Sequence, residues 1–255
     1  MSTYRSAIAL TALVLPLAFT ATSANGGAGY LYVADTDTTP TTYAYVNLPI
    51  NAQTIGNEPE HSLFEISMSN MSGAAGNIIE IGVTTDLSLN GDRNPHWFVS
   101  SWINGVWKGY DAYSDFTSEI GNFWTTPLTS YEGTSQGVAF NYSSGDWWLY
   151  LNGTTAGYFP GSEWSGAFAI SSVTDVFGEA YTDGTVYPTL NGTVSGYYSS
   201  GGGQLSTLRV DAPYAQSNAS RTGFTASGPV PEPSTLALLT LGATNLLAYA
   251  WRRRK

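Results

Sequence analysis

The chain of 255 residues contains no cysteine and few charged residues. The absence of cysteine excludes disulfides, thiol catalysis and thiolate metal sites. Charged residues make up only 11% of the sequence, against about 25% in an average soluble domain. What the chain has in abundance is 28 glycines, 17 tyrosines and 8 tryptophans. This composition is typical of an exported β-protein and unlike that of a cytosolic helical enzyme.

Positive charge is scarce in the body of the chain. Lysine and arginine total 9 against 19 aspartates and glutamates, which gives a net charge of −10. Between residues 26 and 230 there are 4 basic and 18 acidic residues, a net charge of −14. Such a surface repels phosphate groups, so neither nucleic acids nor anionic membrane surfaces are expected as partners.

Residues 1–24 predict a secretory signal peptide. Arg5 supplies a positive charge near the start, an apolar stretch runs from Ala7 to Ala21, and small residues follow up to Ala24. This three-part order is that of a signal peptide cleaved near Ala24. We therefore expect export and leave these residues out of the predicted fold.

Residues 230–255 have a three-part order of their own. Residues 230–235 read Val-Pro-Glu-Pro-Ser-Thr, an apolar run follows at 236–251, and three arginines and a lysine end the chain. At about 1.5 Å per residue the run just crosses a thin hydrocarbon core, and the basic cluster holds its end on the cytoplasmic side. The segment resembles the PEP-CTERM sorting signal of Gram-negative bacteria, which an exosortase recognises in the membrane and removes. This resemblance implies an exosortase-type partner, a transmembrane helix in the inner membrane during sorting, and release to the cell envelope or extracellular matrix.

The body of the chain predicts an all-β domain. Apolar alternation with a period of two recurs and is broken by glycine, asparagine, aspartate and serine. Asn90-Gly91 and Asn152-Gly153 predict hairpin turns, because both residue types tolerate positive φ. The predicted strands cover residues 62–69, 77–84, 96–103, 137–142, 147–151, 156–159, 174–181, 193–198 and 204–210.

Many short strands at this spacing predict an antiparallel β-sandwich of the jelly-roll or concanavalin-like kind. We assign it to residues 61–211. Residues 25–60 are interpreted as an N-terminal arm or leading strand, since their apolar pattern is weak. Residues 212–229 are interpreted as a linker to the sorting segment.

Two of the predicted strands carry a glutamate in mid-strand. In the first, Glu80 alternates with Ile79 and Ile81 and so lies on the face opposite to them. In the second, Glu179 shares a face with Phe177. Glutamate is depleted in strands, so the pair indicates either a paired-carboxylate site or two side chains that face solvent on one side of an antiparallel sheet. Periodicity alone leaves both interpretations open.

Four short motifs within residues 62–198 resemble those of the neprosin domain and occur in the same order. Residues 78–82, Ile-Ile-Glu-Ile-Gly, resemble its Ile-Glu-Ala-Gly-Trp strand. Residues 91–102 resemble its Gly-Asp-Asn-Tyr-Pro segment and the aromatic strand that follows. Residues 146–160, with Asp-Trp-Trp-Leu and Gly-Tyr-Phe-Pro, resemble its Gly-Asn-Trp-Trp-Leu and Gly-Tyr-Trp-Pro runs. Residues 177–180, Phe-Gly-Glu-Ala, resemble its Trp-Gly-Gly-Glu-Val strand.

The resemblance implies a glutamic peptidase built on an antiparallel β-sandwich. Known members cleave next to proline with two glutamates, which fall on Glu80 and Glu179 here. Two such carboxyls share a proton, so one acts as general base on water while the other polarises the scissile carbonyl and protonates the leaving amine. This predicts a secreted endopeptidase for polypeptide substrates, active at acidic pH, that needs no cofactor and no metal. Trp102 and Tyr158 are the aromatic residues predicted to line its substrate groove.

Two other functions use the same features. Paired carboxylates on a β-sandwich also hydrolyse glycosidic bonds, and exposed aromatic residues on an acidic sandwich suit a non-catalytic matrix or carbohydrate-binding module. The placement of the two glutamates discriminates among the functions. A shared aromatic groove favours an enzyme, whereas opposite sheets facing solvent favour a binding module.

Overall fold

The computed structural model describes residues 28–70, 76–164, 167–184 and 186–229. The predicted signal peptide at residues 1–24 and the predicted sorting segment at residues 230–255, with its transmembrane helix, lie outside these ranges. Within them, no helix combines the length and the apolar character needed to cross a membrane.

The described residues form two antiparallel sheets, so the predicted all-β sandwich is confirmed. The one α-helix among them, α1, is a single turn at Leu87–Asn90. The first sheet contains, in spatial order, β13 (Ser206–Val210), β1 (Gly29–Asp37), β11 (Val173–Thr182), β3 (His61–Ser69), β4 (Ile78–Asp86), β5 (His96–Ile103) and β6 (Val106–Tyr110). The second sheet contains β14 (Ala215–Ser220), β15 (Gly223–Ser227), β12 (Gly192–Ser199), β2 (Tyr43–Ile50), β8 (Thr134–Ser143), β9 (Asp146–Leu151), β10 (Thr154–Phe159) and β7 (Thr117–Ser118).

The core consists of apolar side chains that alternate along the strands of both sheets. In the first sheet, Ile66 on β3 and Ile81 on β4 are completely buried. In the second sheet, Val46 on β2 and Phe140 on β8 are completely buried as well. The residues between these core positions point away from the core, and they form the outer face of each sheet.

All nine strands that the sequence predicts are present, with ends shifted by at most a few residues. The Asn152-Gly153 turn is also confirmed, since it joins β9 to β10 with φ values of 50° and 77°. The hairpin predicted at Asn90-Gly91 is wrong. Asn90 ends helix α1 instead, and Gly91 is its left-handed C-cap, with φ of 76° and its N–H bonded to the Leu87 carbonyl.

Two interpretations of the flanking segments need correction. Residues 25–60 contain two full strands, β1 and β2, and each has a partner strand on both sides within its sheet. Residues 212–229 are not a linker, because β14 and β15 form a hairpin there that extends the second sheet beyond β12. The sandwich therefore occupies more of the chain than residues 61–211.

Candidate active site

Glu80 lies on the outer face of the first sheet, in the middle of β4. Its neighbours Ile79 and Ile81 face the core, as their alternation with Glu80 requires. The carboxyl is nearly buried, with only 9% of the residue exposed, and the Ser100 hydroxyl on β5 donates a hydrogen bond to its Oε2. Burial is the main cause that raises the pKa of Glu80, to about 7. The hydrogen bond from Ser100 lowers this pKa, and the charge of Glu179 raises it further. Glu80 therefore keeps its proton up to near-neutral pH.

Glu179 lies on the same face of the same sheet, on β11, and is surrounded by hydrogen-bond donors. His61 Nε2 is 3.2 Å from Glu179 Oε1, and His61 Nδ1 is 3.3 Å from the carbonyl oxygen of Pro59. Because both ring nitrogens face acceptors, this position suits the doubly protonated imidazolium. Tyr32 on β1 also hydrogen-bonds to Glu179. Glu179 therefore accepts hydrogen bonds from side chains on two other strands, His61 on β3 and Tyr32 on β1.

His61 is itself held between two acidic side chains. Its Nδ1 is 3.9 Å from Oδ2 of Asp86, and its ring stacks on Tyr181 with centroids 5.6 Å apart. Burial lowers the pKa of His61, but the hydrogen bond to Glu179 and the charges of Glu179 and Asp86 raise it, and the resulting pKa lies above the ordinary value. The imidazolium form of His61 is therefore favoured beside Glu179 and Asp86.

A third glutamate, Glu65, lies between the other two. It is on β3, the strand between β11 and β4, and only 3% of the residue is exposed. In the registers of these strands Glu179 pairs with Leu63 and Glu80 pairs with Ser67, so the three glutamates follow one diagonal across the face. Burial, followed by the charges of Glu80, Glu179 and Asp175, raises the pKa of Glu65 well above its usual range. Burial and these neighbouring charges therefore favour the protonated form of Glu65.

These side chains line one cleft, which we call the glutamate cleft. It has a volume of about 830 Å³ and contains all three glutamates. That volume lies in the upper part of the range of about 300 to 1,000 Å³ for small-molecule sites. Its walls carry aromatic rings, namely Tyr30, Tyr32, Trp102, Trp107, Tyr110, Phe177 and Tyr181.

The structure brings three of the four predicted site residues together. Glu80, Glu179 and Trp102 line the glutamate cleft. Tyr158 does not, because it lies on β10 of the second sheet, where its ring packs against Trp148 with centroids 4.8 Å apart. The prediction that Tyr158 lines this groove is therefore corrected.

Glu65 and His61 are among the cleft residues that the sequence analysis did not predict. Glu65 has the same signal as Glu80, a carboxyl in mid-strand between two core residues, here Phe64 and Ile66. The alternation rule could have found it. His61 is the first residue of its strand, where alternation carries little information, and its partners are distant in sequence.

No metal-binding group is apparent in the described ranges. Within residues 28–70, 76–164, 167–184 and 186–229, no three or more histidines, aspartates or glutamates are arranged so that they could hold a metal ion.

Comparison with known proteins gives two matches to protein families. The model of the Neprosin family matches residues 58–197, and the model of the PEP-CTERM protein-sorting motif matches residues 229–255. Both agree with the resemblances stated from the sequence.

Solved structures that match this chain include two peptidases and Congerin II. Scytalido-glutamic peptidase with a transition state analog inhibitor is 11% identical, with a TM-score of 0.51 over 78% of this chain and 98% of that chain. SCP-B, a member of the Eqolisin family of peptidases in complex with the tripeptide Ala-Ile-His, is 10% identical, with a TM-score of 0.44 over 78% and 98%. Congerin II with lactose and MES is 16% identical, with a TM-score of 0.34 over 61% and 96%. At these identities, the first likeness shows a shared fold.

Proposed function

The chain belongs to the Neprosin family, and from that premise we propose that Glu80 and Glu179 are the catalytic pair with which it hydrolyses peptide bonds. Family membership makes the protein a glutamic peptidase and hence a hydrolase. The observation that carries the proposal is the unequal environment of two carboxyls in one cleft. The hydrogen-bond donor to Glu80 is the neutral Ser100 hydroxyl, and the raised pKa of Glu80 favours its protonated form, while Glu179 accepts hydrogen bonds from His61 and Tyr32. Two carboxyls in different environments are suited to opposite roles in acid–base catalysis.

The two glutamates have different roles in the proposed reaction. The Glu179 carboxylate removes a proton from a water molecule, whose oxygen attacks the scissile carbonyl carbon. The protonated Glu80 donates a hydrogen bond to the carbonyl oxygen and stabilises the negative charge that develops there. When the C–N bond breaks, the Glu80 proton passes to the leaving nitrogen. At that point Glu179 is protonated and Glu80 is ionised.

Glu65 completes the proposed cycle. Each turnover leaves the proton on Glu179, and the next turnover needs it on Glu80. Glu65 lies on the diagonal between them and its protonated form is favoured, so in the proposed cycle it gives its proton to Glu80 and accepts the one from Glu179. This transfer resets the pair without a change in the number of protons.

The proposed substrate is an exported polypeptide. The volume and the aromatic walls of the glutamate cleft suit several residues of an extended peptide. Trp102 and Trp107 present indole rings with centroids 6.3 Å apart, and flat rings of this kind pack well against proline. We therefore propose cleavage next to proline, with Trp102 as a substrate-binding residue.

The match to the PEP-CTERM motif implies export, processing by an exosortase, and a final location in the cell envelope or outside it. We propose that the chain resides in the inner membrane only during this sorting. The glycosidase alternative uses the same carboxyls, and activity on a peptide distinguishes the two. The non-catalytic alternative is disfavoured, because both glutamates line one aromatic cleft on one sheet.

The experiment compares the full chain with its Glu80→Gln and Glu179→Gln variants on a fluorogenic peptide that contains proline. Glu132→Gln is the matched control, since Glu132 is exposed and lies outside the cleft. We expect cleavage by the parent and by Glu132→Gln, a loss of at least a hundredfold in each of the other variants, and far-UV circular dichroism unchanged in all four. Full activity in a folded Glu179→Gln variant would overturn the proposal, as would the lack of any cleavage by the parent between pH 3 and 8.

A further inference from the structure

A groove runs over the outer face of the second sheet, and we call it the tyrosine groove. Its walls come from β2 and β9, which flank β8 on either side. In the strand registers Tyr45 pairs with Ala139, which pairs with Tyr150. One step along, Tyr43 pairs with Asn141, which pairs with Trp148. Since neighbouring strands are about 4.8 Å apart, the two aromatic walls are about 10 Å apart at their base.

Small residues of β8 leave the space open between the walls. The groove has a volume of about 280 Å³, and Gly137 and Ala139 form part of its floor. At Gly137 a β carbon would lie 2.7 Å from the hydroxyl of Tyr45 and 3.0 Å from its ring. Glycine at this position therefore allows the Tyr45 ring to pack against the surface of the sheet. The Tyr45 hydroxyl then donates to Oδ1 of Asn47 at 2.6 Å, which fixes the ring. The wall on the β2 side is therefore preorganised.

Polar groups converge on the groove. The pKa of Tyr43 is raised by burial and then by its neighbours Tyr45, Tyr198 and Tyr150, so four phenol groups lie close together. The Asn141 side chain adds an amide between Tyr43 and Trp148. Within the described ranges neither the Tyr43 hydroxyl nor the Asn141 amide has a hydrogen-bond partner, so both can bind a ligand.

None of the residues that line the tyrosine groove is charged, although the chain carries a net charge of −10. The aromatic surface also continues beyond it. Tyr198, which is 59% exposed, packs edge-on against Tyr43, and Tyr158 packs against Trp148 on the far side. The sheet thus presents an uncharged strip of ring faces, hydroxyls and amides.

We propose that the tyrosine groove binds a neutral polysaccharide chain, with roughly one or two sugar units inside the groove at a time, as its volume allows. A pyranose ring has a face of C–H groups that stacks on aromatic rings and a rim of hydroxyls that needs donors and acceptors. The groove offers ring faces together with tyrosine hydroxyls and the Asn141 amide, and it offers no charge. A neutral sugar matches this set better than an ionic ligand does. The inference is independent of the peptidase proposal, because the groove shares no residue with the glutamate cleft.

A peptide fits the tyrosine groove less well. Extended peptides bind most readily along the free edge of a sheet, where unpaired backbone groups are available. Here β8 lies in the middle of the sheet and its backbone pairs with both β2 and β9. A proline-rich helix needs aromatic faces but makes little use of several clustered hydroxyls. The number of polar groups favours the sugar.

The test is affinity electrophoresis of the full chain in native gels that contain xylan, glucomannan, mixed-linkage β-glucan, alginate or no polysaccharide. The variants are Tyr150→Ala and Asn141→Ala, and Tyr131→Ala is the control because Tyr131 is 48% exposed and lies outside the groove. Thermal unfolding verifies that each variant is folded. Poly-L-proline serves as a peptide probe in a separate gel.

We expect at least one neutral polysaccharide to retard the parent and Tyr131→Ala, with apparent affinity reduced at least tenfold in Tyr150→Ala and Asn141→Ala. Alginate is expected to cause no retardation. The inference is overturned if none of the three neutral polysaccharides retards the parent, or if both groove variants bind as the parent does. Retardation by poly-L-proline alone would also overturn it and would identify a peptide groove instead.

Discussion

The position of Glu65 between the two proposed catalytic glutamates leads to the first prediction. Glu65→Gln keeps the shape of the side chain and its hydrogen-bonding atoms but cannot carry a proton between Glu179 and Glu80. We therefore expect kcat to fall at least tenfold while kcat/KM changes less than threefold, because the transfer follows cleavage of the peptide bond. A proton inventory in mixtures of light and heavy water should also show a larger solvent isotope effect on kcat.

The conservative variant Glu65→Asp distinguishes proton transfer from packing. It retains a titratable carboxyl, so it should recover part of the lost kcat. Equal losses in Glu65→Gln and Glu65→Asp, together with a matching rise in KM, would mean that Glu65 only shapes the cleft.

At this scale the sequence predicts that Glu80 and Glu179 act together, and the structure places both in one cleft, but the surroundings of each carboxyl were not predictable. Glu80 and Glu179 could be predicted because each interrupts an apolar strand within a family motif. Their unequal environments could not, since these arise from Ser100, His61 and Tyr32, which lie on other strands. Which aromatic residues line the cleft could not be predicted, for the same reason. Trp102 and Tyr158 look alike in sequence, and only the strand order puts them on different sheets.

At the scale of elements, β4 packs closely against β3 and β5 at Gly82. A β carbon at Gly82 would lie 2.4 Å from the Phe98 ring, 2.6 Å from the backbone oxygen of Phe64 and 2.7 Å from the Glu65 β carbon. The last two contacts are with atoms that cannot move without the strand. Gly82 therefore sets the separation between β4 and the side chain of Glu65.

We predict that Gly82→Ala displaces Glu65 and strains the pairing of β3 with β4. Overpacking of this kind costs about 1 to 3 kcal/mol of unfolding free energy, and a shift of about 1 Å near reacting groups can lower the rate a hundredfold. Urea unfolding and kcat/KM measure the two effects. Gly29→Ala is the control, since nothing lies within 4 Å of a β carbon there. Parent-like activity in Gly82→Ala would contradict the fit described here.

The elements that the sequence missed lack the apolar alternation on which strand prediction depends. Strand β14 is composed of Ala-Gln-Ser-Asn-Ala-Ser and is mostly exposed, so its composition is that of a loop. It is a strand because it pairs with β15, whose Phe224 is 99% buried in the core. The Asn-Gly rule failed at Asn90 because Asp86 caps a helical turn there, accepting hydrogen bonds from the N–H groups of Ser88 and Leu89.

On the scale of the whole molecule, the buried carboxyls make stability depend on pH. The pKa of Glu80 is raised from 4.5 to about 7 by folding. Between these two values the folded protein binds the proton more tightly than the unfolded chain, so stability falls as the pH rises. A shift of this size corresponds to about 3 kcal/mol lost between pH 4 and pH 8. Glu65 acts in the same direction, since its pKa is raised too.

We therefore predict a higher Tm at pH 5 than at pH 8, which differential scanning calorimetry can measure. The Glu80→Gln variant cannot ionise at this position, so its Tm should exceed that of the parent at pH 8 and differ less at pH 5. A Tm of the parent that is equal at both pH values, or higher at pH 8, would contradict the burial of these carboxyls in protonated form.

The molecule also has two distinct outer faces. The glutamate cleft lies on the first sheet and the tyrosine groove on the second. In both sheets the residues that line these sites alternate along the strands with residues of the shared core. A groove that binds neutral polysaccharide on the second sheet would hold the enzyme in a polysaccharide matrix. The glutamate cleft on the first sheet would remain accessible to polypeptide substrates.

The pH dependence of kcat/KM for the parent and the two glutamine variants tests the central claim most directly. If Glu80 is the acid and Glu179 the base, activity of the parent falls above an apparent pKa of about 7. Glu80→Gln should keep a small residual activity without this upper limb, because its amide can still polarise the carbonyl but has no proton to lose. Glu179→Gln should lose at least a hundredfold in activity at every pH. An unchanged upper limb in Glu80→Gln, or parent-like cleavage by folded Glu179→Gln, would contradict the assignment.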